Sequence, residues 1–380
     1  YSRSDTFNLE QIEVVNGANS VYGGSGSISG TINLVTKRPK GEDLSVVQAG
    51  IGTDNYYRAT VDSNLRLSGL VAVRLNAMYH ENDVPARDFD HYERWGIAPS
   101  VTIGIDGPTS LTLLYVHQKD DNTPIYGVPY YSSVGGLLPG ADYGGYYGYK
   151  DVDYQKQTVD QATAIFEHAF SDKVSLRNLA RWQRVEQNLV VNPPQGTYCL
   201  DSGMLYTGAA CGAGQLPGMY YPSGPRGTSR FSENQMLYNQ LDLKAVFNTG
   251  GIEHTVTIGA SYAQEDYDLS NGNSLRNAGG ATPNPTLPPI DISDPDPIYD
   301  GPINYIPTAF SQGDTRNIAF YLFDAIKLSE QFEINGGIRW ENNKADFRAD
   351  TIIGTPGPTF GNITRGVVQR SDDNLFSYRV

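Results

Sequence analysis

Residues 57–79 read Tyr-Arg-Ala-Thr-Val-Asp-Ser-Asn-Leu-Arg-Leu-Ser-Gly-Leu-Val-Ala-Val-Arg-Leu-Asn-Ala-Met-Tyr, two alternating runs joined at Ser68-Gly69. In the first run Tyr57, Ala59, Val61, Leu65 and Leu67 fall on one side of an extended chain, and Arg58, Thr60, Asp62, Asn64 and Arg66 on the other. In the second, Val71, Val73, Leu75, Ala77 and Tyr79 oppose Arg74 and Asn76. Successive side chains of a strand point to opposite faces, so each run predicts a β-strand with one greasy and one charged face. The split recurs in Ala162, Ala164, Phe166 and Phe170 against Gln161, Thr163 and Glu167, and in Leu237, Leu241, Leu243, Ala245 and Phe247 against Gln240, Asp242 and Lys244. It appears again in Phe332, Ile334, Ile338 and Trp340 against Glu333, Asn335, Arg339 and Glu341.

Extending the pattern predicts eleven strands, near 44–52, 55–67, 70–81, 93–104, 109–119, 156–169, 173–190, 233–248, 252–268, 314–328 and 332–348, with a twelfth beginning near 375. Short turns fall at Ser68-Gly69, Ile105–Pro108, Phe170–Asp172, Thr249–Gly251 and Ser329–Gln331, and long loops at 82–92, 120–153, 191–232, 269–313 and 349–374. After the first tight turn near Thr53-Asp54 the two kinds alternate strictly. In an up-and-down meander, alternate connections lie at opposite rims, so short turns gather at one end and long loops at the other, as in outer-membrane barrels. Several strands exceed the roughly 9–11 residues needed to cross a bilayer, as walls that extend beyond the membrane would. The expected fold class is all-β, a transmembrane antiparallel barrel. A soluble sandwich or propeller is the alternative, although it would rarely collect every long loop at one end.

A length of 380 residues would suggest two or three soluble domains, a prior the strand count overrides. Lys and Arg number 28 against 42 Asp and Glu, a net charge of −14 that disfavours a nucleic-acid partner. No window approaches the roughly 18 consecutive apolar residues of a membrane helix, and mean hydropathy is −0.40. The 26 Tyr, 41 Gly and 22 Pro suit a chain of strands and turns with an amphipathic aromatic excess. The sequence opens on Tyr1 with no leader and closes on Leu375–Val380 in mid-alternation, which reads as an internal piece of a longer protein.

Residues 1–40 differ in kind: two short strand patterns, Glu10–Val15 and Thr31–Thr36, flank the glycine-rich stretch Gly23–Gly30. That stretch lacks the Gly-Lys-Ser/Thr of a phosphate loop. The run from Phe7 to Gly23, with Ile12, Glu13, Val14, Gly17, Ser20, Tyr22 and Gly23 in order, and then Gly30-Thr31-Ile32-Asn33-Leu34-Val35-Thr36-Lys37-Arg38-Pro39, resembles the end of the plug domain of TonB-dependent siderophore receptors. The match rests on Glu13, Gly17, Tyr22, Gly23, Gly30, Asn33, Lys37 and Pro39 and departs at Ser29, where the family usually has glycine. The resemblance implies a 22-stranded barrel closed by an N-terminal plug, a known outer-membrane transporter architecture. On that basis residues 1–40 are the C-terminal part of the plug, and 41–380 are the N-terminal half of a truncated barrel carrying about 11 to 12 of the strands. Asp5–Asn8 and Ala18–Gly26 are most similar to receptors for catecholate siderophores.

The only cysteines, Cys199 and Cys211, lie in the loop 191–232, and two thiols this close in an oxidising compartment favour a disulfide over a metal site that lacks a histidine. Similar hydroxamate receptors carry a disulfide of near-identical spacing in this loop. Loop 120–153 holds Tyr126, Tyr130, Tyr131, Tyr143, Tyr146, Tyr147 and Tyr149. Rigid amphipathic rings suit a large, partly apolar chelate, and they equally suit an interfacial girdle or loop-on-loop packing. Two or three of the seven are expected to touch ligand. The same loop carries five aspartates against one lysine, poorly matched to an anionic chelate, so Arg226 and Arg230 of the next long loop are the candidate cations. Arg58, Arg66, Arg74, Arg177 and Arg181 fall on polar strand faces, where an arginine can face an anionic cargo or pair with a neighbouring carboxylate.

Asp291, Asp294, Asp296 and Asp300 lack EF-hand spacing and read as a solvated loop. His80, His91, His117, His168 and His254 show no metal-ligand spacing, and no catalytic constellation stands out. The resemblance therefore implies a bacterial outer-membrane receptor, not an enzyme, with no resident cofactor. It would bind a ferric siderophore at its loops, carry iron as cargo, and import it with energy from TonB and its inner-membrane complex, with outer-membrane lipid as its surroundings. The alternatives are a TonB-dependent receptor for a saccharide or cobalamin, or a secreted soluble all-β binding protein.

Overall fold

The computed structural model describes residues 5–17, 21, 24, 29–131, 135–224 and 226–380. Strands β1 (Leu9–Asn16) and β2 (Gly30–Thr36) form a separate antiparallel pair. The wall follows with β3 (Leu44–Ile51), β4 (Tyr57–Arg66), β5 (Val71–Asp83), β6 (His91–Ile103) and β7 (Thr109–Asn122). Within the next connection lie the two-residue strands β8 (Tyr130–Tyr131) and β9 (Gly136–Leu137), and then the wall resumes with β10 (Tyr154–Ser171) and β11 (Val174–Val191). After the loop strands β12 (Gly196–Cys199) and β13 (Met219–Pro222) come β14 (Thr228–Thr249) and β15 (Ile252–Asn273). The short β16 (Ile290–Asp291) precedes β17 (Ile306–Lys327) and β18 (Glu333–Ile352), and β19 (Ile363–Thr364) precedes β20 (Gln369–Arg379).

The twelve long strands pair in chain order from β3 to β20, all antiparallel, and β19 adds two residues beside the end of β18. This is the expected up-and-down meander. All five predicted long loops lie at one rim, together with the tight turn between β3 and β4, and the other short turns lie at the opposite rim.

Alternation decides which face each residue takes, and the register turns that into rows across the wall. Leu241, Ala260, Phe320, Trp340 and Phe376 are lateral neighbours on five successive strands. Phe320 and Phe376 leave more than half of their surfaces exposed, as lipid-facing side chains must. One residue along, on the opposite face, the row is Arg177, Asp242, Gly259, Tyr321 and Arg339. There Tyr321 hydrogen-bonds to Asp242, Arg177 approaches Asp242 at 3.8 Å, and the Arg339 guanidinium lies 5.4 Å from the Tyr321 ring centre. A greasy row outside and an ionic row inside are the signature of a polar lumen.

The strands outrun the sequence prediction at their loop ends: β14 begins at Thr228 rather than near 233, β15 continues to Asn273, and β17 begins at Ile306 rather than near 314. Cross-strand backbone hydrogen bonds continue past the lipid belt, where outward positions turn polar. Asp266, Asp314 and Asp346 form one such row, so alternation of hydropathy fades before the ladder does.

The β1–β2 segment is held to the inner face of the first strands. Phe7 packs against Met78, Ala98 and Leu114. Asp5 accepts from Arg58 at 2.6 Å and Arg94 at 3.3 Å, and Arg94 also holds Asp120. Lys37 bridges to Asp62 at 3.0 Å, Asp62 takes two hydrogen bonds from the buried Arg74 at 2.8 Å, and Arg74 also donates to the Arg38 carbonyl. Arg58, Arg74 and Arg177 thus take the structural option, while Arg66 pairs with Asp106 and Arg181 donates to Thr163 Oγ1 at 3.2 Å.

Candidate functional site

The long connections do not stand apart from one another. Segments 123–153, 192–227 and 274–305 share one apolar cluster that includes Leu138, Tyr147, Tyr149, Tyr198, Tyr220, Leu275 and Ile292. Edges of backbone tie them as well. β13 pairs with β12 and β16, Lys150 N donates to the Pro297 carbonyl at 3.0 Å, and Ile292 N donates to the Gly218 carbonyl at 2.9 Å. Cys199 and Cys211 form a disulfide that closes the tip of the 192–227 segment, with Cys199 fully buried.

The seven tyrosines of segment 123–153 divide by burial. Tyr146, Tyr147 and Tyr149 are at most 3% exposed. Tyr146 donates to Asp153 at 2.8 Å and Tyr147 to the Ile292 carbonyl at 2.7 Å, while Tyr149 packs 5.6 Å from the Tyr299 ring. Burial pushes the Tyr147 hydroxyl up to about 12. Tyr147 and Tyr149 belong to the shared loop core, and Tyr146 is buried beside it against Phe89. Tyr131 stacks on Tyr206 with ring centres 4.1 Å apart, Tyr126 is half-buried, and Tyr130 and Tyr143 are 65% and 68% exposed. Arg226 donates to the Pro285 carbonyl, and the exposed Arg230 donates to the Tyr267 hydroxyl at 3.2 Å.

The five aspartates of this loop differ in what holds them. Asp120 is buried against Arg94, Asp121 pairs with Lys156 at 3.1 Å, and Asp142 accepts from Gly144 N at 3.0 Å. Asp151 accepts from Tyr299 N at 3.0 Å. Asp153 is buried at the junction of two loops, where it accepts from the Tyr146 hydroxyl and, at 2.6 Å, from Asn192 Nδ2. Burial raises its carboxyl to about 6 despite those hydrogen bonds. Asp120 and Asp121 are thus paired with cations and Asp153 is buried, while Asp142 and Asp151 keep their charge against backbone N–H donors.

Most of the residues that carried the resemblance lie in or beside the β1–β2 pair. Glu13 accepts from Asn33 Nδ2 at 2.8 Å across the β1–β2 pair, and Gly17 N donates to the Ser29 carbonyl at 3.0 Å. At Gly30 a Cβ would lie 2.6 Å from the Val15 carbonyl oxygen, so only glycine lets the two strands close there. Lys37 makes the ion pair given above, and Pro39 is buried. Tyr22 and Gly23 lie outside the described residues. Among the described residues no group of three or more metal-ligating side chains is placed to hold an ion.

Sequence reasoning missed Arg87. It reaches three acceptors from the short loop 84–90: Asp90 at 2.7 Å, the Tyr143 carbonyl at 3.1 Å and the Tyr126 carbonyl at 3.2 Å. The Pro85-Ala86 turn before it was the available signal. Tyr198, Tyr220 and Tyr299, on the other two loops, were likewise invisible because loop packing has no period.

A meandering wall with a greasy outside, an ionic inside and long interlocked loops at one rim defines a transmembrane β-barrel of the bacterial outer membrane. The family model described as "TonB dependent receptor-like, beta-barrel" matches residues 94–380. The chain belongs to that family of transport receptors. It is 32% identical to the probable TonB-dependent receptor BfrD of Bordetella pertussis over 99% of this chain and 49% of the relative. It is 31% identical to the catecholate siderophore receptor Fiu of Escherichia coli K12 over 93% of this chain and 45% of the relative. The open-form crystal structure of the ferric-catecholate import receptor Fiu from E. coli K12 matches with a TM-score of 0.78 at 29% identity, over 98% of this chain and 57% of that one. The siderophore receptor PiuA from Acinetobacter baumannii matches with a TM-score of 0.76 at 25% identity, over 98% of this chain and 51% of that one. The chain thus spans about half the length of the curated relatives it matches.

Proposed function

We propose that this chain is part of an outer-membrane receptor that binds a ferric siderophore of the catecholate class at its loop rim and imports it with energy supplied through TonB. The observation that carries the reading is the likeness to the ferric-catecholate import receptor over nearly the whole chain, loops included. Ion pairs from Asp120 to Arg94 and from Asp121 to Lys156 remove part of the negative charge that the loop sequence would otherwise set against an anionic chelate. Of the candidate residues, Tyr130 and Tyr143 have exposed rings for stacking and Tyr126 is half-available, with Arg230 as an exposed cation.

Residues 1–40 serve as the tail of the plug, and 41–380 as barrel wall. The ion pairs from Asp5 and Lys37 to the wall support that division. Iron passes as cargo inside its chelate, and the protein performs no bond chemistry. Deleting the gene should abolish growth on iron-limited medium supplied with a ferric catecholate, and restoring it should recover growth. Undiminished growth after deletion, in a strain with no other receptor for that chelate, would overturn the reading.

A further inference from the structure

We infer that Arg87 is a positioning residue for ligand capture: it clasps the backbone on which Tyr126 and Tyr143 are mounted and so sets the two rings relative to each other. The inference rests on the siderophore reading above for its ligand, and on geometry alone for the clasp. Tyr126 and Tyr143 are seventeen positions apart on one long loop, and neither belongs to a wall strand. The Arg87 side chain is nearly buried, and its two terminal nitrogens donate to the carbonyls of Tyr143 at 3.1 Å and Tyr126 at 3.2 Å. Its Nε donates to Asp90, which is fully buried and whose other carboxylate oxygen has no hydrogen-bond partner among the described residues. A planar guanidinium offers donors in a fixed fork, so one side chain can hold three acceptors in fixed relation, which a lysine cannot.

The segment that delivers Arg87 is itself built for the purpose. Val84-Pro85-Ala86-Arg87 is a turn closed by Arg87 N donating to the Val84 carbonyl at 3.0 Å, with Ala86 at φ +60°. Glycine or asparagine usually takes that conformation, and strain of this kind persists where the surroundings hold the residue in place. Next in sequence, Asp88 N donates to the Gly144 carbonyl at 3.0 Å, a second stitch beside Tyr143. Presenting both rings already ordered removes part of the entropy that a chelate would otherwise lose on binding.

The test uses the complete receptor in detergent or vesicles, with a 1:3 iron(III)–catechol complex as the probe and fluorescence quenching as the readout. Arg87→Ala should weaken binding about tenfold or more, with Arg87→Lys intermediate. Because Arg87→Ala strands a buried carboxylate, the double variant R87A/D90N is run beside it and should lose affinity equally. In a Tyr126→Ala/Tyr143→Ala background, Arg87→Ala should cost almost nothing further, which a general loss of stability would not reproduce. A ligand-free readout separates the clasp from the siderophore reading: a nitroxide at Tyr143→Cys, with the native cysteines tied in their disulfide, should become more mobile when Arg87 is replaced. Unchanged label mobility, or an affinity loss that persists fully without the tyrosines, would overturn the clasp. Failure of the unaltered receptor to bind the complex would instead overturn the choice of ligand, leaving the label result to judge Arg87.

Discussion

A glycine inside a strand usually weakens it, yet Gly259 faces the lumen in the middle of β15 with the Tyr321 ring lying across it. A Cβ there would overlap that ring, and the ring is not free to leave, since its hydroxyl is held by Asp242 and Gln240. Gly259→Ala is therefore expected to lower the stability of the complete barrel by about 1–3 kcal/mol, as overpacking does. Thermal unfolding monitored by circular dichroism checks this, and an unchanged midpoint would show that Tyr321 turns aside without penalty. The position was unreadable in sequence because Gly259 sits in an alternating run and its partner lies 62 positions away. By contrast, the faces of Arg58, Asp62 and Arg74 were legible from the alternation, and only the identity of their partners required the structure.

At the scale of elements, wall strands and loops obey different rules. A strand between two others repeats its burial every second residue, so β5, with Val73, Leu75 and Ala77 outward and Arg74 and Asn76 inward, was legible from alternation alone. The loops have no such period. Nothing about Tyr146 or Tyr149 in sequence distinguishes them from Tyr130 or Tyr143; Tyr149 is buried by packing against segments 192–227 and 274–305, and Tyr146 by Phe89 and Asp153. The junction of that packing is Asp153, whose carboxyl is raised to about 6 from an ordinary value near 3.8. At this site the folded loops bind a proton more tightly than the unfolded ones, so the contribution of Asp153 to loop stability is greatest in acid. That increment is lost as the pH rises from about 4 to 6, with no further change from this group above. At about 1.4 kcal/mol per pH unit the change amounts to roughly 3 kcal/mol. Hydrogen exchange of the loop amides, measured at pH 5 and 7.5 and corrected for intrinsic rates, should show greater protection at pH 5. Asp153→Asn should remove the dependence, and equal protection at both pH values in the unaltered protein would contradict the assignment.

For the molecule as a whole, one physical division organises everything observed. The lower wall solves the problem of lipid by turning side chains such as Phe320 and Phe376 outward, and its lumen can then be as ionic as Arg177, Asp242 and Arg339 make it. The upper rim, free of lipid, spends its residues on a loop core and presents a few rings outside it. Strand number and loop order were visible in sequence because periodicity and local turns encode them, whereas the plug reading came from a resemblance in residues 7–39. The interlocking of loops was not visible, because it is made of contacts more than a hundred residues apart, as between Tyr147 and Ile292. On the function proposed above, this rim takes an anionic ferric catecholate. The most direct measurement is titration of the purified complete receptor with the 1:3 iron(III)–catechol complex, alongside an uncharged ferric trihydroxamate. Saturable binding of the catecholate at concentrations where the trihydroxamate is inert is the predicted result. Absence of catecholate binding, or a preference for the uncharged complex, would contradict the account.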